Sequence, residues 1–362
     1  MTFRVRLLSG EPISNATYCL LWPLLRFRRT LAQAGIQLTV QHIPRLPHAA
    51  TDADIVLIEG RAFGKERDVD QGRLLQDVER LSKQVPVVWV DNYDSSGLLF
   101  SEVLPFVRAY WKSQLLSDRT AYLQPMYGGR PYTDYYHANH GIADDVPITS
   151  TPVASPHLLD RLAVAWNMGL ANHGYWARWL ERLYGIWHLP GFMQPPRGFC
   201  DSTSDRPVAL TARFGANYTR QTVAHQRKAM LVRLAGRMPT DRLSRSGFRR
   251  EMSHAKAAIS PFGWGEVCLR DFEAFIAGAA LVKPDMSHLE TWPNWYVPGF
   301  TYLPIKWDLS DMDEVLASIA ADQPRTTEIA RNGQELYRTQ TITADAGTAF
   351  LRHFSDLLGK AI

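Results

Sequence analysis

The chain has 362 residues, 46% of them hydrophobic and 21% charged, which is the composition of an ordinary folded protein and, by length, of about two domains. Forty Lys and Arg against 36 Asp and Glu leave a formal charge of only +4. The basic residues are dispersed, so the dense phosphate-neutralising tracts of a nucleic-acid binder are missing.

Residues 3–8 (Phe-Arg-Val-Arg-Leu-Leu) alternate as a half-buried strand does. A polar Ser-Gly-Glu-Pro turn leads into a helix over about 15–34, and Gly35 stands where a helix-ending glycine belongs. Strands are expected at 36–41 and 54–59. A helix at 70–84 carries Leu74, Leu75, Val78 and Leu81 at helical spacing, and a fourth strand covers 85–91. Such alternation implies right-handed βαβ units and a parallel sheet. Residues 110–150, rich in Tyr, Gly, Asp and His, read as loops and short helices. Residues 162–166 close the sheet, and a helix follows near 174–184. The Pro/Gly-rich run 188–198 is the linker candidate. A second alternation then starts, with strand 207–212, helix 222–235 stopped by Gly236, helix 248–256 and strand 257–260. After a glycine loop come helix 266–279, strands 280–284 and 300–304, and closing helices near 325–338 and 344–359. The fold class expected is α/β with two Rossmann-like domains.

Three cysteines, Cys19, Cys200 and Cys268, form no CxxC pair and no Cys/His metal spacing, which favours a reducing cytoplasm. No window reaches the roughly 20 apolar residues of a membrane span, and the N-terminal run has no signal-like apolar core. A cytoplasmic chain without a metal is therefore expected.

The chemistry concentrates where strand 257–260 runs into Pro261-Phe-Gly-Trp-Gly265. Gly263 and Gly265 remove Cβ atoms where a ligand would approach the backbone, and a helix N-terminus offers free N–H groups to a phosphate. At 100° per residue, Glu266, Arg270 and Glu273 share one stripe, while Phe272, Phe275, Ile276 and Ala279 face the sheet. A carboxylate there suits two ribose hydroxyls and an arginine suits phosphate. An ordinary solvated Glu–Arg face has the same spacing.

The segment Phe262-Gly-Trp-Gly-Glu-Val-Cys-Leu-Arg-Asp-Phe-Glu-Ala-Phe-Ile-Ala-Gly278, continuing into Ala280-Leu-Val-Lys-Pro, resembles the donor-binding segment of GT-B glycosyltransferases, in particular exostosin-like and family 1- and 4-like members. The resemblance covers the C-terminal half well and the N-terminal half only in its Rossmann-like character. It implies two domains facing a cleft, 1–187 for the acceptor and 188–343 for the donor. A C-terminal helix at 344–362 would return toward the first domain. It places Glu273 on the ribose-binding glutamate, and Ser260, Gly263, Gly265, Glu266 and Arg270 beside the donor. The family's E-x7-E pattern departs here: the position eight residues before Glu273 is Gly265, with Glu266 one place along, so a retaining mechanism does not carry over.

The resemblance also implies a basic residue after the first strand of the donor domain, where Arg213 stands, with Arg220 and Arg227 in or beside the next helix. These would neutralise the leaving diphosphate without a metal. In the N-terminal half, Asp91 and Asp94 follow a strand and are the candidate bases, although an Asx turn or helix cap explains them too. Glu11, Asp134 and His137 are the acceptor-side candidates. The partners implied are a nucleotide-sugar and a saccharide or lipid-linked acceptor, in surface polysaccharide or glycolipid synthesis, with no nucleic acid and no cofactor. A linker at 188–198 would let the cleft close around them. Leu20, Leu21, Trp22, Leu24 and Leu25 beside Arg26, Arg28 and Arg29 would serve either core packing, the preferred reading, or contact with anionic lipid at the inner membrane face. A GT-B-fold epimerase or phosphorylase, or a non-catalytic nucleotide-sugar binding protein, stays open. An NAD oxidoreductase is disfavoured, since Ser9-Gly-Glu-Pro-Ile-Ser14 has no GxGxxG.

Overall fold

The computed structural model describes all residues except 1, 11–13, 50, 51 and 175, and the side chain of residue 190. The first unit comprises β1 (Phe3–Ser9), α1 (Asn15–Arg26), α2 (Arg28–Gln33), β2 (Ile36–His42), β3 (Ile55–Glu59), α3 (Gly64–Ser82), β4 (Val87–Asp91), β5 (Ala109–Lys112), β6 (Gln114–Leu116), α4 (Pro131–His140), β7 (Leu162–Val164) and α5 (Ala177–Trp187). Six of these strands form a parallel sheet in the order β2-β1-β3-β4-β5-β7. β3 and β4 are buried at every position because helices cover both faces, which is why they read as unbroken apolar runs.

The second unit comprises β8 (Val208–Thr211), α6 (Gln221–Leu234), α7 (Arg245–Ser253), β9 (Ala255–Ile259), α8 (Leu269–Ala277), β10 (Ala280–Pro284), β11 (Leu289–Thr291), β12 (Tyr302–Ile305), α9 (Met312–Ala321), α10 (Gln323–Thr341) and α11 (Asp345–Ala361). Its parallel sheet runs β12-β10-β9-β8. The fold class is α/β with parallel sheets, as the alternation of strands and helices predicts.

Four elements differ from the sequence expectation. The helix over 15–34 is two helices, with Pro23 inside α1 and a break at Phe27, whose ring packs on Phe350 of α11 at 5.3 Å. The 110–150 region contributes the strands β5 and β6, not only loops. β5 ends in a fully buried lysine, Lys112, which no strand pattern announces. β11 pairs antiparallel with β6, so Leu116, Leu115 and Gln114 of the first unit lie opposite Leu289, Glu290 and Thr291 of the second. Helix α8 begins at Leu269, not Glu266, because Cys268 is extended (φ −122°, ψ 149°) and caps it.

The last helix crosses back. Phe350 and Phe354 of α11 pack on Trp166, and Phe354 meets Trp111 edge-on at 6.0 Å. One apolar cluster thus runs through both units, joining Val5, Leu57 and Trp111 to Phe272, Leu281 and Phe354. Burying each of these rings stabilises the fold by about 1.5–3 kcal/mol. The loop after β9 meets the loop after β4, so the carboxyl ends of the two sheets share one seam.

Candidate functional site

The glycine loop is closed by its own protein. The Gly263 carbonyl accepts a hydrogen bond from Tyr132 and the Trp264 carbonyl one from Arg130. Arg227 is buried and donates to the carbonyls of Phe262, Pro261 and Gly215. A Cβ on Gly265 would lie 2.4 Å from the Asp94 carbonyl, and one on Gly263 would lie 3.1 Å from the Tyr218 hydroxyl. These glycines admit a neighbouring loop of the same chain, which corrects the expectation that they admit a ligand. The N-terminus of α8 is likewise filled, since Asp271 accepts the Cys268 N–H at 3.0 Å in a reciprocal cap.

Glu266 is also corrected. It precedes α8 and is fully buried, and so shares no helical stripe with Arg270 and Glu273. Its Oε1 accepts the Ser96 hydroxyl of the first unit, with His288 Nε2 4.0 Å away. Ser260 is fully buried too and donates to Asp271. Arg213 pairs with Glu251, Nη2 to Oε2 at 2.7 Å, and so brings no unpaired charge. Arg220 stands just before α6 without capping it through its side chain, which reaches the Gly128 carbonyl at 3.5 Å.

Glu273 is different. It lies on α8, half-buried, in a cavity of about 590 Å³ between α7, α8, residues 172–180 and residues 194–200. The walls are largely apolar, with Phe248, Leu269, Phe272 and Ile276 among them, and Arg197, Arg249 and Arg250 also line it. Its carboxylate makes no hydrogen bond or ion pair with any described residue. Burial pushes its pKa above the usual value, and nearby Arg270, Arg249 and Arg245 only partly offset this. Arg270, one turn earlier, lies against the rings of Phe214 and Phe248, and its Nε has no partner among the described residues. Volume, apolar walls and a few convergent polar groups are the attributes of a small-molecule site.

A second cavity of about 460 Å³ opens beyond the carboxyl end of β4. Asp94, Tyr93, Arg61, Arg67, Arg130 and Trp264 line it. Asp94 is exposed, and its side chain takes no partner among the described residues. Asp91 also reaches this cavity, but its oxygens are taken by Lys112 Nζ at 2.7 Å, the Tyr110 hydroxyl at 2.6 Å and the Tyr93 N–H at 2.9 Å. This corrects Asp91 from a candidate base to a buried ion-pair partner. Asp94 also lines a narrow crevice along the seam, together with Cys19, Met168 and Val267.

Of the acceptor-side candidates, Asp134 and His137 line neither cavity. Asp134 Oδ1 accepts the Tyr127 N–H at 2.8 Å, and His137 stacks on Tyr127 with centroids 3.7 Å apart, both fixing the fold around α4. Glu11 lies outside the described residues. Sequence reasoning missed Glu59, fully buried and accepting hydrogen bonds from Ser9, Gly10, Thr17 and Asn92, which ties the loops after β1 and β4 together. It also missed Arg61 and Arg130. The only signal for Arg61 was its position just after Gly60 at a strand end, and for Arg130 its place after Gly128-Gly129. No group of metal-ligating side chains occurs among the described residues.

No protein-family model matches the sequence, and no curated protein matches it. Among solved structures, the chain is similar to Anabaena HepE in complex with UDP-glucose, at 11% identity and a TM-score of 0.43 over 98% of this chain and 99% of that one. It is also similar to sucrose-phosphate synthase from Thermosynechococcus elongatus, at 11% identity and a TM-score of 0.46 over 99% and 100% of the two chains. A third is an alpha-glucosyltransferase in complex with UDP and a 13-mer DNA, at 9% identity and a TM-score of 0.43 over 99% and 100%. Two parallel α/β sheets thus meet at their carboxyl ends and the last helix packs on the first sheet, the arrangement expected of a GT-B fold.

Proposed function

We propose that this protein is a glycosyltransferase that holds a nucleotide-sugar donor in the Glu273 cavity and transfers the sugar to a hydroxyl of a saccharide or lipid-linked acceptor. The observation that carries the reading is the Glu273 carboxylate, set in an apolar cavity of about 590 Å³ with no partner of its own. A half-buried acceptor without a donor costs free energy, and two vicinal ribose hydroxyls supply what it lacks. The apolar walls suit a nucleobase, and Arg270 and Arg249 suit the diphosphate.

In a direct displacement, Asp94 takes the proton from the acceptor hydroxyl as its oxygen bonds to the anomeric carbon. The bond from that carbon to the diphosphate oxygen breaks, and the departing diphosphate keeps the electron pair. Its growing negative charge is met by fixed guanidinium groups, so no metal is called for in this reading. Arg61, Arg67 and Arg130 on the Asp94 side favour an acceptor that carries phosphate or carboxylate. Work on such an acceptor would place the protein in surface polysaccharide or glycolipid synthesis, on the cytoplasmic side.

The test is a thermal-shift series with UDP-, GDP-, CMP- and dTDP-sugars. One nucleotide should stabilise the wild type, by about 2.7 kcal/mol at a hundred times its Kd, and at the same concentration should stabilise Glu273→Ala by only about 0.4–1.4 kcal/mol. No shift with any nucleotide, or full stabilisation of the variant, overturns the reading.

A further inference from the structure

Helix α5 turns its most apolar face to solvent. Trp176, Trp179, Ile186, Trp187 and Leu189 are between 52% and 68% exposed, while Ala177, Glu181 and Tyr184 face inward. At 100° per residue, Trp176, Trp179, Ile186 and Trp187 form one stripe, with half-buried Leu183 in its middle. Three exposed indoles on one short helix are far from the scattered apolar residues of a normal surface. By contrast, Leu20, Leu21, Trp22 and Leu24 of α1 are buried and Leu25 is partly so, so its apolar run is core.

The surroundings are cationic. Arg182 on α5, Arg197 in the connection after it, and Arg245, Arg249 and Arg250 on α7 are all exposed. Arg245 and Arg249 reach the His173 carbonyl, which fixes α7 beside the start of α5. Trp176, Arg197, Arg249 and Arg250 line the mouth of the same cavity. Acidic residues offset them only in part: Glu181 is buried, Glu251 is paired with Arg213, and Glu273 lies half-buried within the cavity near Arg245 and Arg249.

We infer that the α5 face docks on an anionic lipid bilayer. Indole rings settle at the level of the headgroups, where an apolar body and a polar N–H are both satisfied, and each nearby arginine adds attraction to anionic lipid. No described helix is long and apolar enough to cross a membrane, so the contact is peripheral. Docked this way, the protein holds the mouth of the Glu273 cavity at the headgroup plane. The inference goes beyond the donor reading: the two share Arg249, but the tryptophan face that carries the docking has no part in holding the donor.

The experiment is co-sedimentation of the full chain with vesicles of phosphatidylcholine alone or with about a third phosphatidylglycerol, at low and high salt. Wild type should pellet with the anionic vesicles at low salt and be released by high salt. The double variant W179E/W187E should lose at least tenfold in vesicle partition, whereas Val232→Glu, an exposed apolar residue on α6, should bind as wild type does. Nucleotide-induced thermal shifts should be the same in all three proteins, which separates this inference from the donor reading. Wild type left in the supernatant overturns it, as does a double variant that still pellets. So does a wild-type dimer that becomes monomeric in the double variant, since the face is then an interface between copies.

Discussion

Each of the two units buries one Lys–Asp pair at the carboxyl end of its sheet, and the two networks use the same parts. In the first, Asp91 accepts from Lys112, from the Tyr110 hydroxyl and from the Tyr93 N–H. In the second, Asp271 accepts from Lys283 at 3.1 Å, from the Tyr296 hydroxyl at 2.7 Å and from the Cys268 N–H. Both lysines are fully buried. The difference lies in what each aspartate anchors. Asp91 ends a strand and fixes a loop that carries Asp94 into the open, whereas Asp271 fixes the first turn of α8 and leaves Glu273 facing a cavity. In both units a saturated aspartate holds the backbone, and the next acid along the chain is left unpartnered.

That division of labour can be broken in order of expected effect. Asp94→Asn should lower kcat by about 10²–10⁴-fold with little change in donor KM, because only proton removal is lost. A steady-state assay with varied donor checks this, and a near-normal kcat removes Asp94 from the chemistry. Lys112→Met and Lys283→Met should each destabilise the fold by about 3–5 kcal/mol in denaturant unfolding, since a buried carboxylate is left without its cation. A cost below about 1 kcal/mol for either would end the equivalence of the two networks.

Glu273→Ala should weaken donor binding by about 10–100-fold by calorimetry, the loss of one or two hydrogen bonds to a charged group, with unfolding midpoint unchanged or raised. The smallest effect is a pH dependence. The Glu273 carboxyl is pushed above its ordinary 4.5 by burial, so its protonated form is favoured in the folded chain. Ionising it therefore costs stability as pH rises through the window above 4.5, and Glu273→Gln should be slightly more stable than wild type at neutral pH. Donor affinity runs the other way, falling as pH drops through the same window, and should be flat in Glu273→Gln.

The strands legible in the sequence were those whose burial is written into their own residues, such as Ile55–Glu59 and Val87–Asp91. β5 was not, because its Lys112 is made acceptable by Asp91, 21 residues away, and no local pattern carries that pairing. β11 was missed for a similar reason, being three residues long and paired with a strand in the other unit. Within the site, Glu273 was reached through both spacing and family resemblance. Glu266 was misplaced because spacing extends a helix through any polar residue, whereas Asp271 sets the true start by capping Cys268. Gly265 announced a close approach correctly, but what approaches is Asp94 of the same chain.

The ribbon of β6 and β11 has a consequence for motion. Two bodies tethered only by flexible peptide can gape like jaws. Here a backbone ladder stitches Gln114–Leu116 to Leu289–Thr291, and α11 is wedged onto the first sheet by Phe350 and Phe354. Gaping would tear the ladder and expose two aromatic rings, so wide-angle opening is the costly mode. Motion that keeps the ladder intact is left to side chains and short loops, among them exposed Trp264 in the wall of the Asp94 cavity.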